Sequence, residues 1–253
     1  MKILGIIPAR FASSRFPGKS LADIGGKSMI QRVYEQALKA KSLNKVVVAT
    51  DDARILSHVL SFGGDAVMTA ENHPSGTDRC FEAFQKSGGE TKYDYVVNIQ
   101  GDEPFIDPEI IDQMTMLLDF KTEIATAVKK INDYQTLFDP NVVKAVLTMR
   151  KQCLYFSRQA VPYVRDHEPN TWLDYANFYK HIGLYAYRSD VLEQISHLPT
   201  SPLENTEKLE QLRWLGYGYK IYAIITDYES FGIDTPEDLE KLIARQFPMT
   251  ELL

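Results

Sequence analysis

An apolar run, Ile3 to Ile7, empties directly into Pro8-Ala9-Arg10-Phe11-Ala12-Ser13-Ser14-Arg15-Phe16-Pro17-Gly18-Lys19. A continuous apolar strand is buried on both faces, the habit of parallel sheets covered by helices. In such sheets the loops at the carboxyl ends of the strands line the ligand crevice. Arg10, Arg15 and Lys19 should therefore converge on an anion or lie in water. With backbone N–H groups of Ser13, Ser14 and Gly18 close by, a polyphosphate is the natural anion. A solvated basic loop is the alternative.

The pattern downstream agrees with a parallel sheet. Helical spacing over Ile30 to Ala40, a strand over Val46 to Thr50 and a helix over Arg54 to Phe62 follow in turn. A short strand at Ala66 to Met68, a helix over Thr77 to Lys86 and a strand over Tyr93 to Gln100 continue the alternation. From Ile124 the rhythm changes. Ile124 to Lys130, Val142 to Thr148, Leu154 to Ser157 and His181 to Tyr187 read as strands without long helices between them. This predicts a partly antiparallel excursion, at about 131–199, inserted in a single domain covering 1–253. Its aromatic residues suit core packing, a lid or a dimer surface. Ser201-Pro202-Leu203-Glu204 predicts a capped helix running to about Leu215, and Thr235-Pro236-Glu237-Asp238 predicts another over Pro236 to Phe247.

Composition narrows the function. A net charge of −6 argues against a broad surface for nucleic acid or an anionic membrane. An acidic chain that handles an anion must gather its cations locally, as the opening loop does. Two cysteines, Cys80 and Cys153, make neither a disulfide framework nor a zinc spacing, which favours a reducing compartment. No apolar run approaches bilayer length, so a cytoplasmic, soluble protein is expected.

Two carboxylates sit where chemistry could use them. Asp102 follows an apolar strand within Gly101-Asp102-Glu103-Pro104, and Asp234 immediately precedes the last helix. Facing a cationic loop, they suit a divalent metal bound through carboxylates and substrate phosphates. Each also has an ordinary explanation, as a turn residue and as a neighbour of a helix cap.

The opening loop is not a Walker A motif, because Ser13 to Ser20 lacks the first glycine and Pro17 removes a backbone donor; no G-x-G-x-x-G occurs either. Its isoleucine-proline-alanine-arginine and arginine-x-proline-glycine-lysine resemble the signature of the sugar-acid cytidylyltransferases, in the branch that activates 3-deoxy-manno-octulosonate. Four further segments are similar to that family: Ser75 to Arg79, Val97 to Pro104, Lys180 to Tyr185 and Leu209 to Arg213. Gly232 to Leu239 looks like its last motif. Phe11, Ser20, Ser28 and Ala186 depart from the pattern without removing a charged group.

The resemblance implies a Rossmann-like nucleotidyltransferase fold of the α/β class, a mainly parallel sheet flanked by helices. It implies transfer of CMP from CTP to a 3-deoxy sugar acid, with Mg2+ on Asp102 and Asp234 and with Arg10, Arg15 and Lys19 in the catalytic set. CTP binding would fall to Pro8, Ala9, Arg10, Lys19, Ser75, Gly76, Arg79 and Gln100. The sugar acid would meet Gln100, Arg158, Arg165, His181, Tyr185, Glu210 and Gln211, a guanidinium fork being suited to its carboxylate. A homodimer is implied, and no nucleic acid or membrane partner. A CMP-sialic acid synthetase, a P-loop kinase and a non-catalytic nucleotide-binding module are the competing readings.

Overall fold

The side chains of Ile3, Leu4, Ile6 and Ile7 have no polar atom to leave unsatisfied, and all are buried in β1 (Ile3–Ala9). In the computed structural model, which describes residues 1–12 and 15–246, the chain divides into two compact units. Ser13, Ser14 and Phe247, where the last helix was expected to end, lie outside the described residues.

The first unit comprises the described residues within Met1–Asp112 and from Ser230 onward. After β1 come a small hairpin, β2 (Asp23–Ile24) and β3 (Lys27–Ser28), then α1 (Met29–Ala37), β4 (Lys45–Thr50), α2 (Ala53–Ser61), β5 (Ala66–Met68), α3 (Gly76–Lys86), β6 (Tyr95–Asn98) and α4 (Pro108–Thr115). The unit boundary falls within α4. Strand order β6-β1-β4-β5 is parallel throughout, as the strand–helix alternation predicts. The carboxyl ends of β1, β4, β5 and β6 consequently lie on one edge, and that edge carries the opening loop, Asp51, the loop after Met68 and Gln100 to Asp102.

Short side chains start the helices at that edge. The Ser28 hydroxyl accepts from Gln31 N at 3.2 Å, Asp52 from Arg54 N at 2.8 Å and Ser75 from Asp78 N at 3.1 Å. Such caps typically contribute about 1 kcal/mol each. The Arg54 side chain also holds Asp52, lowering its pKa to about 2, and lies 3.4 Å over the Phe11 ring.

The second unit is Gln113–Glu229. It contains β7 (Ile124–Lys130), α5 (Tyr134–Phe138), β8 (Lys144–Leu147), β9 (Cys153–Ser157), α6 (Trp172–Tyr175), β10 (Tyr179–Arg188), α7 (Ser189–Ser196), α8 (Pro202–Glu207), α9 (Gln211–Gly216) and β11 (Ile221–Thr226). β11 pairs with β7 in parallel, whereas β10 with β7, β8 with β10 and β8 with β9 are antiparallel. The change of rhythm near Ile124 thus reports a real change of pairing, and the segment 131–199 lies inside this unit. Lys144 is completely buried; its ammonium donates to the carbonyls of Asp139, Val142 and Arg158, while burial lowers its pKa.

One helix expected over 202–215 is two. Lys208 turns left-handed at φ 54° after α8, and Arg158 Nε donates to Glu207 O at 2.8 Å. A carbonyl that a continuing helix would satisfy internally is satisfied from outside. The capping box at Ser201 and Glu204 is present as expected.

The chain re-enters the first unit at Ser230, and the last element among the described residues is α10 (Pro236–Gln246). Ile233, fully buried with Ile24, Met29 and Leu242, fixes the residue before the helix. Burial of one such side chain stabilises by about 1.5–3 kcal/mol.

Candidate active site

The site grows from the loop that follows β1. Gly18, at φ 72°, donates its N–H to Phe11 O at 2.9 Å and closes the loop. A side chain there would be strained in φ and would approach the Phe11 ring at 3.0 Å. The turn delivers Lys19 inward. Opposite it, Gly101 packs so tightly on β1 that a Cβ would lie 2.6 Å from Pro8 O. Only glycine allows Asp102 to be brought this close to the end of the opening strand.

Asp234 arrives by a different route. Ile233 N donates to Asp102 O at 2.9 Å, so the segment before α10 is tied to the segment after β6. Thr235 caps α10 by accepting from Asp238 N at 3.2 Å, and Asp238 accepts from the Asp234 and Thr235 N–H groups at 3.2 and 3.0 Å. Burial works to raise the Asp238 pKa, but these bonds outweigh it and the pKa is lowered.

The two aspartates meet on one nitrogen. Lys19 Nζ lies 2.7 Å from Asp102 Oδ2 and 3.5 Å from Asp234 Oδ1, and donates to Ile233 O at 3.2 Å. Arg15 Nη2 reaches Asp234 Oδ1 at 3.0 Å from a largely exposed position. Two of the three loop cations thus face carboxylates, and Arg10 is exposed. All three border a cavity of about 330 Å3 whose lining also includes Pro8, Ala9, Ser75, Gly76, Arg79, Gln100, Asp102 and Asp234. The residues assigned to catalysis and CTP are thereby brought to one place.

Arg79 lines this cavity but directs its guanidinium into the protein. It donates to Thr69 Oγ1 at 2.6 Å and Ala70 O at 3.2 Å, and pairs with Asp51 at 2.6 Å. It therefore braces the loop between β5 and α3. His73 and Ser20 also line the cavity, and the sequence reading missed both. His73 bonds Glu82, which also accepts from Ala70 N at 2.9 Å. Burial would raise the Glu82 pKa, yet Lys86, the Ala70 N–H and His73 bring it down to about 2. The signal for His73 was its place two residues before the Ser75 cap.

A divalent ion fits this donor set. Both carboxylates face a single cationic nitrogen, at 2.7 and 3.5 Å, and hard oxygen donors of this kind are what such an ion takes. Among the described residues no cluster of three or more His, Cys, Asp or Glu side chains is placed to hold a metal. The remaining coordination would come from water and phosphate oxygens, the habit of Mg2+.

The residues assigned to the sugar acid other than Gln100 all belong to the second unit. His181 and Tyr185, on β10, make a tilted ring contact at 5.2 Å, and Tyr185 meets Trp214 edge-on at 5.2 Å. Burial lowers the His181 pKa to about 3 and raises that of Tyr185 well above its ordinary value. Glu210 pairs with Arg213 at 3.2 Å, and the neighbouring Gln211 is buried. The Arg158 guanidinium is engaged by the carbonyls of Glu207 and Pro140. Arg165 is 89% exposed and lies 3.5 Å from Asp166. Neither cysteine forms a disulfide and both are buried, and burial pushes the Cys153 pKa up to about 12. Among the described residues no helix is long and apolar enough to cross a membrane.

The cytidylyltransferase family model matches residues 4–221. The chain belongs to the cytidylyltransferase family. It is 56% identical over 249 residues to the 3-deoxy-manno-octulosonate cytidylyltransferase of Parabacteroides distasonis, covering 96% of this chain and 98% of that one. The corresponding protein of Cytophaga hutchinsonii is 52% identical over 240 residues, covering 94% and 95%. The solved structure of CMP:2-keto-3-deoxy-manno-octonic acid synthetase complexed with CTP is 41% identical, with a TM-score of 0.89 and complete coverage of both chains. As a cytidylyltransferase this chain is a nucleotidyltransferase enzyme of the α/β class, and the expectation drawn from its opening loop is met.

Proposed function

We propose that this enzyme transfers the CMP moiety of CTP to the anomeric hydroxyl of 3-deoxy-D-manno-octulosonate, releasing pyrophosphate, as a step toward lipopolysaccharide. The observation that carries the reading is the meeting of Asp102 and Asp234 on the Lys19 ammonium beside a cavity bordered by Arg10 and Arg15. The similarity to the 3-deoxy-manno-octulosonate cytidylyltransferases supports the choice of sugar acid.

The reaction asks little covalent chemistry of the protein. The sugar oxygen forms one bond to the α-phosphorus, the bond to the pyrophosphate oxygen breaks, and the hydroxyl proton is lost. Alignment and charge neutralisation dominate such transfers. Arg10, Arg15 and Lys19 hold the triphosphate and stabilise the departing charge. Pro8, Ala9, Ser75, Gly76 and Gln100 bound the nucleotide, and Arg79 braces the loop that carries Ser75. Asp102 and Asp234 would hold Mg2+, which would supply acidification of a hydroxyl and neutralisation of phosphate charge. Arg158, Arg165, His181, Tyr185, Glu210 and Gln211 recognise the sugar acid.

The enzyme is read as one nucleotidyltransferase domain over 1–253, working in the cytoplasm as a homodimer. Tyr163 and Tyr175, both exposed in the segment 131–199, support an interaction surface there. Pyrophosphate release from the four ribonucleoside triphosphates, each crossed with several sugar acids, tests the reading. Turnover confined to CTP with 3-deoxy-manno-octulosonate is expected. Preference for a nine-carbon sialic acid, or CTP binding without turnover, would overturn it.

A further inference from the structure

β10 does not run evenly along β7. Its pairing passes from Ile182 opposite Ala127 to Tyr185 opposite Thr126, leaving Gly183 and Leu184 as a bulge. Bulges free backbone groups from the ladder and re-aim side chains. Here the Thr126 side chain, completely buried, serves what the bulge releases. Its Oγ1 lies 2.8 Å from Leu184 O, 3.3 Å from Ile182 O and 3.0 Å from His181 Nε2.

Proton counting settles the direction of these bonds. A threonine hydroxyl has one proton, and a carbonyl oxygen can only accept. That proton goes to Leu184 O or Ile182 O, so toward His181 the hydroxyl offers only a lone pair. Nε2 must then carry the hydrogen. Burial keeps the ring neutral, with its pKa lowered to about 3, so the second nitrogen carries no proton. Among the described residues Nδ1 has no hydrogen-bond partner, while Phe156 and Tyr185 contact the ring at centroid distances of 5.0 and 5.2 Å.

We propose that Thr126 is a positioning residue that locks His181 in the Nε2–H tautomer and so presents Nδ1 as a hydrogen-bond acceptor for a hydroxyl of the sugar acid. The assignment to the sugar rests on the function proposed above; the tautomer lock does not. A neutral acceptor takes a hydroxyl donor and refuses carboxylate or phosphate oxygen, which gives the position chemical selectivity.

Two-bond proton–nitrogen correlation spectra of the 15N-histidine-labelled full chain read the tautomer directly, the His181 signal being assigned by its loss in His181→Asn. Wild type should show Nε2–H. Thr126→Val keeps the shape and removes the hydroxyl, so it should shift the ring toward Nδ1–H or a mixture, and Thr126→Ser should restore it. Thr126→Val should also raise the KM for 3-deoxy-manno-octulosonate roughly five- to tenfold, the loss of one neutral hydrogen bond, with the CTP KM within about twofold of wild type. A wild-type Nδ1–H ring, or a tautomer unmoved by Thr126→Val, would overturn the lock. A tautomer that responds while Thr126→Val and His181→Ala both leave the sugar-acid KM unchanged would overturn the acceptor role. Should no sugar acid be turned over at all, the proposed function fails, and the spectra still decide the lock.

Discussion

Lys19 donates to Asp102 at 2.7 Å from a side chain only 17% exposed, and its ammonium is also within ion-pair distance of Asp234. A cation held there offsets the repulsion between two carboxylates that the fold forces together. It also competes with any divalent ion for the same oxygens. Lys19→Met should therefore bind Mn2+ without nucleotide about tenfold more tightly than wild type, since the Coulomb repulsion between two cations about 4 Å apart near a protein surface reaches about 4 kcal/mol before screening, of which only part survives in solvent. The same variant should lose roughly 10²–10³-fold in chemical rate, as removal of one charge-stabilising donor commonly does. Calorimetric titration with Mn2+ checks the first half, and unchanged affinity would show that Lys19 does not compete for the carboxylates.

Arg79 and Asp51 form a pair nearly closed to solvent, with side chains 4% and 12% exposed. Breaking a buried pair by removing one partner typically costs about 3–5 kcal/mol. Arg79→Ala should lose stability of that order in urea denaturation and raise the CTP KM through the loosened loop after Met68. Arg15→Ala, altering an exposed cation, should leave stability within about 0.5 kcal/mol of wild type. Equal stability of the two variants would contradict the bracing role of Arg79.

Much of this was legible in the chain order. Asp102 and Asp234 could be picked out because each stands between an apolar strand and a helix start, and a parallel sheet brings such positions to one edge. The cap at Thr235 was readable because its residue types and spacing are local. What could not be read was set by contacts between distant residues. Nothing in the opening loop says that Lys19 is turned toward carboxylates, or in Ser75 to Arg79 that the arginine points inward. The break at Lys208 follows from Arg158 taking a helical carbonyl, and the bulge at Gly183 shows only in register. Helical periodicity carries no trace of either event.

His181 supplies a pH signature. Its pKa, near 6.5 in an unfolded chain, is lowered by burial to about 3 in the folded protein. Between those values the unfolded chain holds a proton that the folded one does not, so stability must fall as pH falls through this window. The slope from one such group is about 1.4 kcal/mol per pH unit at most. Above pH 6.5 this contribution is fully retained. Denaturant titrations from pH 7 to 5 should show His181→Gln with a shallower loss than wild type by up to that amount. Identical slopes would mean that His181 is protonated as readily in the folded state.

Asp102 and Asp234 are proposed to serve one site although they lie far apart in the sequence. Asp102→Asn and Asp234→Asn keep size and hydrogen-bonding capacity and remove charge. Single-turnover formation of CMP-sugar by rapid quench, measured alongside calorimetric CTP binding, tests the claim directly. Each variant should lose most of its turnover, in the range of about 10²–10³-fold, while retaining part of its CTP affinity through Arg10, Arg15 and Lys19, and excess Mg2+ should rescue only partially. Near wild-type turnover with ordinary Mg2+ dependence in either variant would reduce that residue to a turn or cap aspartate and contradict the two-carboxylate site.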